Sequence, residues 1–139
     1  MTTLQRFGLE GPSHTRIDEG HWEGLKAGEL RIQRCGACSR WIWVAQPLCP
    51  SCHTFDPLWE SVEPEGVVYA WTRTVKAFHP TAEVPYVTVL VELPQAGGKR
   101  ILGLYAGDGD PVIGSRVRGY FEPAPDSDSW PLIRWENAA

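Results

Sequence analysis

Basic charge is scarce in this sequence. Its 139 residues carry 13 Lys and Arg against 17 Asp and Glu, a formal net charge of −4, so it lacks the concentrated positive surface that draws proteins to polyanions. No nucleic-acid partner is expected. Long apolar runs are missing as well: nothing approaches the roughly 18 residues of a spanning helix, and the first residues have no apolar signal core. No membrane and a cytoplasmic location are therefore the expectations. No glycine-rich phosphate loop is present, and His14, His21 and His79 have no Ser or Cys nucleophile in a recognisable pattern. No catalytic residue is assigned. Asp108 and Asp110 lack the further oxygen ligands and closing Glu of a calcium loop, and read as a turn.

Against these absences stand four cysteines in two tight pairs, Cys35-Gly36-Ala37-Cys38 and Cys49-Pro50-Ser51-Cys52, ten residues apart. Two disulfides suit an oxidising compartment, whereas paired CxxC turns place four thiolates tetrahedrally about one ion. The expected cofactor is structural zinc on Cys35, Cys38, Cys49 and Cys52, because four thiolates leave no open position for catalysis. Iron is the competitor, since the same tetrathiolate accepts either ion and recombinant expression can load the wrong one. His53 reads as a solvent-facing neighbour rather than a fifth ligand.

The chain divides into an extended arm over 1–16, a helix plus zinc ribbon over 17–62, and a barrel over 63–139. In the second segment Asp18 caps a short helix on which Trp22, Leu25 and Leu30 share a face, although Gly24 and Gly28 each weaken it by about 1 kcal/mol relative to Ala. That face covers either the chain's own barrel or a partner. Glu63-Pro64-Glu65-Gly66 marks the boundary, after which the hydrophobic period becomes two. Val67 to Val75, Val87 to Leu93, Ile101 to Ala106, Val117 to Phe121 and Leu132 to Trp135 predict five antiparallel strands. Little helix and a need to hide strand edges point to a mainly β chain ending in a five-stranded Greek-key OB-fold barrel. Trp41, Trp43, Phe55 and Trp59 crowd the ribbon with aromatics suited to an interface. Arg31, Arg34 and Arg40 read as solvated charges before a phosphate site.

Taken in order, His21 to Leu30, the two cysteine knuckles, Gly66-Val67-Val68-Tyr69-Ala70-Trp71-Thr72, Pro85-Tyr86-Val87 through Leu93, and Ile113-Gly114-Ser115-Arg116-Val117 resemble a known family. This is the rubredoxin-like zinc-ribbon plus acyl-CoA-associated OB-fold family, once catalogued as a domain of unknown function and found beside thiolases. The resemblance, over about residues 17 to 136, implies a non-catalytic accessory subunit of a thiolase-fold partner: a thiolase, an acyltransferase, a hydroxymethylglutaryl-CoA-type synthase or a steroid side-chain aldolase. It implies a CoA thioester as ligand of the complex, lipid or steroid degradation as the setting, and a heterotetramer with two copies of each chain. By the same analogy Trp22, Leu25, Trp41 and Trp43 are the interface candidates. One departure stands out. Where the family often has Pro-Pro-Arg, this chain has Val44-Ala45-Gln46, which removes a positive side chain suited to a CoA phosphate. The alternatives from the residues alone are a single-stranded nucleic-acid-binding OB module and a free-standing acyl-CoA-binding protein.

Overall fold

The chain was analysed as a computed structural model, which describes residues 5–7 and 10–138. Parts of the expected arm (1–4 and 8–9) and the last residue of the expected barrel (139) lie outside the described residues. One helix, α1 (Glu19–Lys26), leads into a three-stranded antiparallel sheet of β1 (Leu30–Arg34), β2 (Trp41–Ile42) and β3 (Leu58–Val62), in the order β2-β1-β3. Asp18 stands at the N-cap position but makes no side-chain cap. Its carboxylate instead accepts from the Ser13 backbone and hydroxyl and from the Trp22 indole N–H, so the residue tethers the arm to the helix. Gly28, at φ +75°, ends the helical segment in the left-handed conformation that glycine adopts without strain.

The five period-two runs form β4 (Glu65–Thr74), β5 (Tyr86–Leu93), β6 (Lys99–Leu104), β7 (Arg116–Glu122) and β8 (Leu132–Asn137). Their order is β6-β5-β4-β7-β8, and a parallel bridge between Tyr105 and Trp135 joins the two edges into a closed barrel. The Ala106 N–H donates to the Trp135 carbonyl at 2.7 Å across that seam. Closure leaves no long edge to pair with another chain. A bulge in β4 between Val68 and Ala70 bends the strand, and Val68 bonds with Gly114 and Ser115 of the loop before β7. The β5–β6 turn is a short 3₁₀ segment, Pro94–Ala96, followed by Gly97 and Gly98 at positive φ.

Alternation sends Val89, Val91 and Leu93 of β5 into the barrel with Val68, Ile101, Val117 and Trp135. Leu25, Leu30 and Ile32, from α1 and β1, belong to the same cluster. The ribbon's base and the barrel thus share one core, and only Cys35, Ile42 and Cys49 form a separate small one.

The arm follows the outside of the barrel. Arg6 donates to the carbonyls of Trp130 and Pro123 and pairs with Glu122, while the Gln5 carbonyl accepts from the buried Arg134 of β8.

Candidate metal centre

Each cysteine pair is built on the same local turn. In the first, the Ser39 N–H returns to the Cys35 carbonyl at 3.0 Å and the Cys35 N–H donates to the Arg40 carbonyl; in the second, His53 and Thr54 play the same parts for Cys49. Ser39 and His53 sit at φ +65° and +64°, so His53 occupies a turn position and its side chain is exposed. Backbone N–H groups point at the leading sulfurs: Ala37 and Cys38 at Cys35 Sγ, and Ser51 at Cys49 Sγ, all at 3.4 Å. Such donors favour a thiolate.

The two knuckles face each other. Cys35 Sγ lies 3.5 Å from Cys52 Sγ and Cys38 Sγ 3.6 Å from Cys49 Sγ, and all four sulfurs fall within 4.8 Å of one another with no disulfide among them. Zinc–sulfur bonds of about 2.3 Å put the sulfurs of a tetrahedral site roughly 3.8 Å apart, so the cluster has the size of such a site. Its acidities point the same way. Hydrogen bonds from the Thr54 hydroxyl and backbone, and then from Cys35, draw the Cys52 thiol down to about 6. The Arg40 backbone favours the Cys38 thiolate too, but desolvation and the neighbouring sulfurs of Cys49, Cys52 and Cys35 outweigh it and push that thiol up to about 11. Crowded sulfurs compete for negative charge, and a divalent cation removes the conflict by deprotonating them together.

Residues that sequence patterns did not single out hold this cluster in place. Gln33 of β1 is buried; its amide donates to the Gln46 carbonyl at 3.1 Å and its carbonyl accepts from the Gln46 N–H at 2.8 Å. This clamp fixes the segment entering the second knuckle. Thr54 supplies the hydroxyl 3.2 Å from Cys52 Sγ. Neither residue type announces itself in a motif; the only sequence signal is a polar side chain inside the apolar run of β1.

Of the interface candidates, Leu25 is buried in the common core, and Trp22, Trp41 and Trp43 are partly buried against it, each still partly exposed. Trp41 bridges ribbon to barrel by lying on Gly97, where a Cβ would come within 2.9 Å of the indole. Arg31 pairs with Glu29, and Arg34 pairs with Glu60 while its guanidinium lies over Trp41; Arg40 is exposed. His14 is exposed, His79 bonds to Thr81, and His21 is buried between the rings of Trp22 and Trp43. Asp110 pairs with Arg73, so it serves the loop between β6 and β7.

The family model of the ChsH2 rubredoxin-like zinc ribbon domain matches residues 22–57, and that of the ChsH2 C-terminal OB-fold domain matches residues 59–122. The 3-oxo-4,17-pregnadiene-20-carboxyl-CoA hydratase alpha subunit of Mycobacterium tuberculosis is 36% identical over 137 residues, which cover 90% of this chain and 39% of that protein. A probable enoyl-CoA hydratase alpha subunit of Thermomonospora curvata is 41% identical over 81 residues, covering 56% and 25%. The chain thus spans well under half the length of these curated relatives. Among solved structures, the Ltp2-ChsH2(DUF35) aldolase superposes with a TM-score of 0.81 at 30% identity, over 93% of this chain and 100% of that one. A DUF35-family protein of unknown function from Sulfolobus solfataricus shares the fold, with a TM-score of 0.60 at 17% identity over 88% and 85% of the two chains.

Proposed function

Because the chain belongs to the ChsH2 (DUF35) family of zinc-ribbon and OB-fold proteins, we propose that it is a non-catalytic subunit that assembles with a thiolase-fold enzyme acting on acyl-CoA substrates. The observation that carries this reading is the similarity, over 93% of this chain and the whole of that one, to a chain of the Ltp2-ChsH2(DUF35) aldolase. The M. tuberculosis relative, whose name is that of a steroid-derived CoA thioester hydratase, supports acyl-CoA as the substrate class and an aldolase or hydratase as the type of complex. In this reading the chain stabilises its partner and shapes the partner's substrate pocket, and two copies of each chain make up the assembly.

Cys35, Cys38, Cys49 and Cys52 would hold the zinc ion. Held by four thiolates, zinc supplies folding energy rather than reactivity. Beside the partly exposed Trp22, Trp41 and Trp43, the ribbon offers a partner Phe55 and Leu58, exposed by 68% and 59%. Exposed apolar side chains of this kind on a small module suit a protein interface.

Affinity capture from the native host, with mass-spectrometric identification, native mass determination and metal analysis, tests the proposal. The expected result is a thiolase-fold protein in equal amount, two copies of each chain, and one zinc per copy of this chain. A double variant Phe55→Asp, Leu58→Asp should lose at least tenfold in partner affinity at unchanged melting temperature. Recovery of the chain alone, or with nucleic acid, overturns the reading.

A further inference from the structure

Outside the cysteine cluster, a groove of about 630 Å³ lies between α1, the ribbon turn after β2 and the outer face of the barrel. Its floor comes from strand register. Leu90 of β5 stands opposite Leu102 of β6, and Thr88 opposite Leu104, so alternation places Leu90, Leu102 and Leu104 on one outward face. Trp22 and the Trp43-Val44 pair wall it from the helix and ribbon side. Leu102 on the floor is 64% exposed and Val44 on the rim 66% exposed. One leucyl and one valyl side chain therefore face water across a concave space, which costs free energy that an apolar occupant recovers, at about 25 cal/mol per Å² covered.

The charges on this face decide what kind of occupant fits. Of the arginines that reach the groove, Arg100 is paired with Glu92 and lies over the Tyr69 ring, and Arg134 is held by Glu122 and the Gln5 carbonyl. Arg100 has a carboxylate of its own, and Arg134 shares Glu122 with Arg6 and is buried, so neither holds an open guanidinium out to a phosphate. The strand pair β5–β6 is the face on which OB barrels usually bind oligonucleotides, through basic side chains and stacked aromatics; here its centre is a row of leucines. The volume lies within the roughly 300–1,000 Å³ of small-molecule sites, and concavity suits a small ligand better than a flat protein contact.

We propose that this groove binds the uncharged, apolar acyl part of a thioester substrate, with the CoA nucleotide and its phosphates left outside. This assignment rests on the acyl-CoA reading above, and it places on this chain a site that the partner reading does not require. The apolar chemistry has two sources, a fused-ring acyl group and a linear chain, and the test separates them.

The zinc-loaded chain is titrated, without any partner, with the methyl ester of cholic acid as a fused-ring probe, with 1-dodecanol as a linear one, both below their solubility limits, and with CoA alone. The readout is the fluorescence of Trp22 and Trp43, with each Trp→Phe variant assigning the signal. A saturable change with the cholic ester identifies a ring-binding groove, and one with dodecanol a chain-binding groove; CoA alone should give none. Leu102→Lys, at an exposed position where folding is preserved, should weaken the binding probe at least tenfold with an unchanged melting temperature. The proposal is overturned if neither probe saturates, if L102K binds as the unchanged protein does, or if CoA alone produces the signal. Partner capture is scored separately: a wild-type chain that binds neither probe, together with an L102K chain that loses its thiolase-fold partner, makes the groove a protein interface and leaves the subunit reading intact.

Discussion

His21 is enclosed by the rings of Trp22 and Trp43, and its Nδ1 has no hydrogen-bond partner. Burial lowers its pKa from 6.5 to about 4, against smaller opposing effects of the Arg31 backbone and Asp18. Above pH 6.5 the ring is neutral whether folded or unfolded and costs nothing. As the pH falls from 6.5 towards 4 the unfolded chain takes up a proton that the folded chain refuses, so stability drops, by about 3 kcal/mol in all. Urea unfolding at pH 7 and pH 5 should register about 2 kcal/mol of this loss, and His21→Phe should remove that part of the slope while acid release of metal persists in both proteins. Gln33 makes a second prediction at this scale. Gln33→Leu leaves the Gln46 N–H and carbonyl without their partners, a cost of about 1–3 kcal/mol, and metal should be lost faster to a chelator. The cysteines were legible because each knuckle closes within a few residues of its own sequence. Gln33 was not, because its partner lies thirteen positions away and no motif couples them.

Among the elements, α1 shows how a glycine can mislead a reading from propensity. By helix propensity alone Gly20→Ala should stabilise the helix by about 1 kcal/mol. Yet a Cβ at Gly20 would lie 2.4 Å from the Trp59 indole, and one at Gly24 2.8 Å from the Arg31 side chain; these glycines let the helix settle onto β3 and β1. Gly20→Ala should therefore destabilise, by about 1–3 kcal/mol as overpacking does, with thermal unfolding giving the sign. An increase in melting temperature would show that Trp59 yields without loss. The five barrel strands were readable from their period of two, because one face of each is buried. β3 was not among the runs recognised: Leu58, Trp59 and Glu60 follow no clean alternation, and the strand exists because all five of its residues pair with β1. The Asp18 cap failed for a related reason, since Ser13 and Trp22 compete for the carboxylate that the helix terminus would use.

For the whole molecule, length and composition lead to one continuous body carrying a metal-stapled module. The packing shows how closely the two are joined, because Leu25, Leu30 and Ile32 are buried in the same cluster as Val89, Val91 and Trp135. Zinc in small peptides contributes on the order of 10–16 kcal/mol, comparable with the entire stability of a domain. Removing the metal with a strong chelator, or replacing Cys49 by Ser, should therefore disturb the barrel as well as the ribbon. Calorimetry of the metal-loaded protein should show one transition, and the chelated protein should melt at a lower temperature by circular dichroism in the barrel region. Two well-separated transitions would mean that the shared core couples the parts only weakly. Long-range sharing of this kind leaves no trace in a local window of sequence.

The seam between Tyr105 and Trp135 also bears on how the protein comes into being. β8, which follows the other four barrel strands in the sequence, supplies Trp135 to the core, closes the barrel against the end of β6, and presents Arg134 to Gln5. On the ribosome the earlier strands must therefore wait, with two sheet edges and an unfilled centre, until β8 has emerged. That interval exposes the nascent chain to misplaced strand pairing, and it lasts until β8 has left the ribosome, however fast strands pair once they are free.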